Sequence, residues 1–257
     1  GSKSILNVKK KLSLPLNGNN LISFDSIELI NRNSKRIINI KNIKDLQKFI
    51  KKKVVLDLKN ITKKKFFSKL KFNNFPLLMG ILNITPDSFS DGGKFINNYS
   101  ANCHAKKLIK DGAKLIDVGG ESTRPGAKDL DSKTEWKRIK PKLNFLSKQK
   151  IFLSLDTRKS LIMKKSLNYR VNLINDVSGL NYDSETLNFL KRYEIPFVIN
   201  HVQGSPNTMQ INPNYNNVLL DIYDFFDEKL RIIRSKNIKH NNIILDPGIG
   251  FGKNLKH

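Results

Sequence analysis

Polar residues suited to recognition or proton chemistry recur in this sequence at the ends of short apolar runs. Asn83 follows Leu77–Leu82, Asp156 follows Ile151–Leu155, Asn175 follows Leu173-Ile174 and Asp246 follows Ile243–Leu245. A buried carboxylate needs donors, or it takes up a proton. A ring edge with adjacent N–H groups supplies donors in pairs, and an asparagine serves donor and acceptor edges alike. The same residue types also cap helices, so a capping role for one or more of them stays open.

Loops add further candidates. Thr85-Pro86-Asp87-Ser88-Phe89-Ser90-Asp91-Gly92-Gly93 runs on towards Tyr99. That is longer than most strand-to-helix loops, and such loops are usually lids or disordered. Gly119-Gly120-Glu121-Ser122-Thr123-Arg124-Pro125-Gly126 sets an arginine among small and turn residues. Its guanidinium fork suits phosphate or carboxylate, with Thr123 and backbone N–H groups beside it. Asp246-Pro247-Gly248-Ile249-Gly250-Phe251-Gly252-Lys253-Asn254 only superficially suggests a phosphate-binding loop. Three residues, not four, separate Gly248 from Gly252, and Asn254 replaces the required Ser or Thr. The alternating glycines instead allow close backbone approach to a flat ligand, with Phe251 as an apolar wall. The four histidines, His201 among them, lack metal-ligand spacing, which argues against a zinc site. Glu121 is a candidate general base that nothing in the sequence singles out.

Elements must position these groups. From Leu77 onward, short apolar runs alternate with amphipathic stretches, the signature of βα units and a parallel sheet. Strands are expected at Leu77–Leu82, Leu115–Val118, Ile151–Leu155, Leu173-Ile174, Phe197–Ile199 and Ile243–Leu245. Helices are expected between them: one capped by Ser100 and ending near Gly112, then Lys133–Leu146, Ser160–Leu167, Ser184–Arg192 and Asn216–Ser235. In a (β/α)₈ barrel all C-terminal strand ends reach one face, where active sites lie. A doubly wound open sheet gives the same local pattern, so strand order stays open. Residues 1–75 differ: they are rich in Lys and Asn and read as a small appendage without a chemical motif. Strands at Leu21–Ile30 and Arg36–Ile40 and a short helix at Ile43–Lys52 are expected there.

The chain has 257 residues, 39% of them hydrophobic, enough for one sizeable core. No apolar run approaches the roughly 20 residues of a bilayer span. With Cys103 the single cysteine and no secretory h-region at the N-terminus, a cytoplasmic protein is the default. The formal charge of +25 comes from lysines spread along the chain, without an aromatic-interleaved basic stripe. That pattern reads as compositional drift, not as nucleic-acid binding, although a positive field can recruit an anionic small substrate.

Together these segments resemble the dihydropteroate synthase family. Its Leu-Asn-x-Thr-Pro-Asp-Ser-Phe-Ser-Asp-Gly-Gly run stands at Leu82–Gly93, and its Gly-Gly-Glu-Ser-Thr-Arg-Pro-Gly run at Gly119–Gly126. Asp156-Thr157, Asn175–Gly179 and Asp246–Lys253 match the remaining strand-end motifs, so the resemblance covers Pro76 to the end. It implies a TIM (β/α)₈ barrel over residues 76–257, usually dimeric. It implies condensation of a pterin pyrophosphate with p-aminobenzoate. By the same resemblance Asn83 meets Mg²⁺ and pyrophosphate, while Asp156, Asn175 and Asp246 hold the pterin. Thr123 and Arg124 contact substrate, and Asp91 belongs to a mobile loop that closes over the site, so Asp91 and Arg124 are the expected catalytic groups. Phe251 borders p-aminobenzoate, where sulfonamides compete.

Two departures from the family pattern follow. A Ser-Arg-Lys run and a later Arg-x-His are absent, and both would lie beyond His257. Six units fill residues 77–257, and two more would need roughly 60 further residues. A barrel lacking its last two units, with weak or no activity alone, is therefore the expectation. Asn200 also stands where the family usually has Met, which bears on the pterin pocket. The rival readings are a pterin-dependent methyltransferase, an inactive pterin-binding fragment and, on charge alone, a nucleic-acid module.

Overall fold

The computed structural model describes residues 1–67, 70, 76–85, 98–122, 129–204 and 213–254. The chain divides into two compact units, one from Gly1 to Phe66 and one from Pro76 onward.

The first unit has helix α1 (Ser2–Lys9), strands β1 (Leu14–Leu16), β2 (Asn19–Phe24), β3 (Ser26–Ile30) and β4 (Lys35–Asn39), and helix α2 (Lys48–Thr62). The single strand expected at Leu21–Ile30 is two. The chain breaks at Asp25, so that β2 pairs with β1 and β3 with β4, both antiparallel. The helix expected at Ile43–Lys52 is instead a 3₁₀ turn over Ile40–Asp45 followed by the longer α2. Only Val54 and Leu58 of α2 are buried, one turn apart, joining Ile38 and Leu46 in a small core. That weak apolar stripe explains why the helix is poorly marked in a lysine-rich sequence.

The second unit is a six-stranded parallel sheet with helices between the strands. Its strands are β5 (Met79–Asn83), β6 (Leu115–Gly119), β7 (Phe152–Asp156), β8 (Val171–Asp176), β9 (Phe197–Asn200) and β10 (Ile243–Asp246). Its helices are α3 (Asn98–Lys110), α4 (Ser132–Leu146), α5 (Ser160–Ser166), α6 (Thr186–Tyr193) and α7 (Val218–Ser235). Each strand pairs with the next in sequence, from β5 to β10 without a switch. A doubly wound sheet reverses direction at a switch point and a barrel does not. The order is that of a (β/α) barrel.

Side chains alternate across each strand. On one face Leu82, Ile116, Val118, Leu153, Leu155, Ile174, Phe197 and Ile199 are buried against Ala101, Ala105, Ile139, Leu143, Ile162, Phe189 and Phe226 of the helices. The other, inner face carries Met79, Ile81 and Asn83 of β5, all exposed, and the polar strand ends. Ser100, expected as the N-cap of the first helix of this unit, lies inside α3, which already begins at Asn98. The Asp131 side chain accepts from Thr134 N at the start of α4, and Asn217 from Leu219 N and Leu220 N at the start of α7. After α3, Gly112 takes the left-handed φ of 108° that ends the helix.

Candidate active site

Strand register builds the site. Asn83, Gly119, Asp156 and Asn175 occupy one row across β5, β6, β7 and β8, each paired with the next. Parallel strands place all four at C-terminal ends, so the row forms a rim. Gly119 leaves room for its neighbours. A Cβ there would lie 2.9 Å from Asp156 Oδ2 and 3.1 Å from Asn83 Oδ1, so both oxygens close over the glycine. Asp246, in register with Asn200 at the ends of β10 and β9, extends the inner rim.

One level down, Asp117 is 2% exposed and pairs in register with Ser154. Its Oδ2 accepts a 2.8 Å hydrogen bond from Asn175 Nδ2. Burial pushes the Asp117 carboxyl above the usual carboxylate range, against the hydrogen bond from Asn175. Asp156 is pushed well above it. Burial is the main cause, followed by repulsion from Asp117, Glu135, Asp176 and Glu121. Among the described residues Asp156 has no side-chain hydrogen bond, which leaves its oxygens free to accept from a ligand. Asp176 differs from its neighbours. It is fully buried, and its Oδ1 accepts from Ser178 N and Oγ, which fixes the turn after β8.

The glycine-rich segment after β10 is tied from beneath. Asp246 Oδ1 accepts from Gly248 N at 2.8 Å. Lys253 Nζ donates to the carbonyls of Gly248 (2.8 Å) and Phe251 (2.9 Å) and to His201 Nδ1 (2.9 Å). Burial and then the Lys253 charge lower the His201 pKa to about 4, so the ring is neutral at pH 7 and can accept that bond. Gly248 has φ of 64°, and a Cβ there would sit 2.1 Å from His201 O. No side chain fits. Asn200 lies under this loop and not at the open rim. It is 1% exposed, its Oδ1 is 2.9 Å from that same Cβ position, and its Nδ2 donates to Val177 O at 3.4 Å. The Met-to-Asn departure therefore acts on the seating of the loop.

The pterin binding enzyme family model matches residues 79–257. The chain belongs to the pterin-binding enzyme family. It is 39% identical to the dihydropteroate synthase of Haemophilus influenzae over 183 residues, 71% of this chain and 66% of that protein. Among solved structures it is similar to a Yersinia pestis dihydropteroate synthase in a sulfonamide drug complex, at TM-score 0.66 and 41% identity, covering 71% of this chain and 66% of that one. It is also similar to a Xanthomonas albilineans dihydropteroate synthase with 4-aminobenzoic acid, at TM-score 0.63 and 35% identity, covering 70% and 63%. The chain spans a little under two thirds of the length of the curated relatives it matches.

Of the residues expected at this family's site, Asn83, Asp156, Asn175 and Asp246 stand at C-terminal strand ends of one sheet face. Phe251 lies partly buried in the loop that follows β10, its N–H bonded to Gly248 O. Asp91, Thr123 and Arg124 lie outside the described residues.

The structure adds a cluster that sequence reasoning missed. Glu121 accepts from Arg158 Nε (3.2 Å) and Nη2 (2.9 Å), from Lys159 Nζ (2.7 Å) and from Leu130 N (2.7 Å). Lys159 also bonds Glu135 Oε2 at 2.7 Å, and Thr157 Oγ1 donates to Glu135 Oε1. The Arg158 guanidinium stacks on the Tyr182 ring, 3.9 Å from its centroid. Burial pushes Glu121 up, but the bonds from Arg158 and Lys159 outweigh it and hold the carboxyl below its usual value. A carboxylate so saturated is no general base. Glu121 locks the loops after β6 and β7 to α4. No sequence spacing announces this cluster, because its members meet only across strands.

Among the described residues no cluster of three or more His, Cys, Asp or Glu is arranged to hold a metal. No described helix is long and apolar enough to cross a membrane.

Proposed function

We propose that this chain serves dihydropteroate synthesis. The amine of p-aminobenzoate displaces pyrophosphate from the methylene of a 6-hydroxymethyl-7,8-dihydropterin pyrophosphate. A C–N bond forms, the C–O bond to pyrophosphate breaks, and the nitrogen loses a proton. The observation that supports this best is the rim itself. Two acceptor-rich carboxylates and an asparagine stand on the inner face, with Asp156 lacking a donor among the described residues. The pterin amino-pyrimidinone edge carries adjacent N–H groups. Asp156 and Asp246 accept from that edge, and Asn175 reads the mixed part of it.

The dihydropterin ring delocalises positive charge that develops at its methylene. The protein then works by holding the ring, orienting the attacking amine along Phe251 and excluding water. Arg124 stabilises the departing pyrophosphate and Thr123 contacts substrate, while Asp91 acts from the first loop. Mg²⁺ fits this donor set as a partner of the substrate and not as a caged ion. Asn83 Oδ1 offers one hard oxygen at the rim, and substrate phosphates complete the shell. When bound, the ion neutralises leaving-group charge. Homodimerisation and competition by sulfonamides at the Phe251 side belong to the same reading.

The test is turnover with the pterin pyrophosphate, p-aminobenzoate and Mg²⁺, followed by chromatographic detection of dihydropteroate, beside calorimetric titration with 6-hydroxymethylpterin. Dihydropteroate formed in the assay, and pterin binding by this chain, support the reading. Methyl transfer without dihydropteroate sinks it.

A further inference from the structure

We propose that Asp117 is a positioning residue for substrate recognition. From beneath the rim, its carboxylate fixes the Asn175 amide so that Oδ1 and one N–H face the bound ring. This rests on the pterin reading above and deepens it.

The geometry is specific. Asn175 sits two strands from Asp117 and one level higher, and the contact crosses β7 diagonally. Ser154, the residue of β7 in register with both Asp117 and Leu173, is small and leaves that diagonal open. The bond is 2.8 Å, and Asp117 is 2% exposed with Oδ1 lacking a partner among the described residues. A leucine would cost less to bury than a carboxylate with one unsatisfied oxygen.

The chemical reason for an aspartate is directional. Its oxygen accepts from the amide N–H of Asn175 and offers no equivalent N–H in return. An asparagine at 117 presents oxygen or NH₂ equally well, so the Asn175 amide can turn over. The turned amide shows its NH₂ to the ring where an acceptor is needed, and the ring N–H faces another donor. Asp117 thus decides which hydrogen-bond pattern the rim reads, without touching the ligand.

The experiment titrates wild type, Asp117→Asn, Asn175→Ala and the exchanged pair Asp117→Asn with Asn175→Asp. Ligands are 6-hydroxymethylpterin and, separately, p-aminobenzoate in the presence of pyrophosphate and the pterin. Melting temperature is read in parallel. Asp117→Asn is expected to weaken pterin binding about tenfold or more, the scale of one misdirected buried hydrogen bond. Its p-aminobenzoate affinity, measured at saturating pterin, stays within about twofold. The exchanged pair restores an N–H···O bond with an acceptor still facing the ring, and recovers most of the pterin affinity. On Asn175→Ala, adding Asp117→Asn costs no further affinity. Asp117→Asn binding pterin as tightly as wild type overturns the proposal, as does equal weakening for both ligands. If Asp117→Asn does not fold, the exchanged pair decides: folded without pterin affinity refutes the positioning role. A wild-type chain that binds no pterin overturns the underlying reading instead.

Discussion

Asp156 stands among Asp117, Glu135, Asp176 and Glu121, and its carboxyl is raised well above the usual range by burial and by that crowd. The sign of the linkage follows. The folded state binds this proton more tightly than the unfolded chain does, so the contribution of Asp156 to stability falls as pH rises through its unfolded value. Asp156→Asn removes that penalty. At pH 7 the variant should be more stable than wild type by about 0.5–2 kcal/mol, and the difference should vanish near pH 3, as urea unfolding across that range will show. The same variant should lose pterin affinity at least about tenfold, because it brings an NH₂ to an edge that needs an acceptor. A gain in stability coupled to a loss of binding is expected of a residue kept for recognition. A loss of both would make Asp156 structural. The strand-end position of Asp156 was legible in the sequence. Its carboxylate neighbours were not, since they come from α4, two other strands and a loop.

At the scale of elements, the loops after β6 and β7 are tied down by one ion cluster. Lys159 is buried between Glu121 and Glu135, which stand on the β6 loop and on α4. Burial lowers its pKa, and the two carboxylates more than reverse that. Replacing Lys159 by Met leaves two buried carboxylates short of a cation, which costs about 3–5 kcal/mol. The melting temperature should fall by several degrees, and both loops should become sensitive to limited proteolysis. An unchanged melting curve would remove the cluster from the account of how these loops are held. The loop after β10 uses a different device. There Lys253 binds carbonyls, and the positive φ at Gly248 and Gly252 lets the backbone fold over it. The glycines were readable as licence for close approach. Lys253 as the tie was not, since a lysine after a glycine run first suggests a phosphate.

For the whole molecule, every described rim residue lies in the unit that begins at Pro76. The first 66 residues carry 17 lysines and arginines against four aspartates and glutamates, and none of the rim chemistry. Deleting residues 1–66 should therefore leave pterin affinity within about twofold. Calorimetry on the shortened chain checks this, and a larger loss would give the first unit a part in the site. Long-range attraction of an anionic substrate is the one contribution that unit can make at a distance, and it is screened at 0.15 M salt beyond about 8 Å.

The sequence by itself determined the alternation of strands and helices, the six strand positions within about two residues, and the polar ends that reach the rim. These are local properties. Apolar runs, capping residues and glycines act through the nearest few residues, and the loop motifs are contiguous. The tertiary structure alone decided the strand order, and with it a barrel sheet and not a doubly wound one. It also decided that Glu121 is a clamp, that Asn200 lies beneath a loop, and that Asp117 reaches Asn175 across an intervening strand. Each depends on register between segments 20 to 60 residues apart. Such pairings are chosen by the packing of the whole sheet, so no local pattern encodes them. The break at Asp25 is the same lesson in the first unit: two apolar runs read as one strand until their separate partners are known.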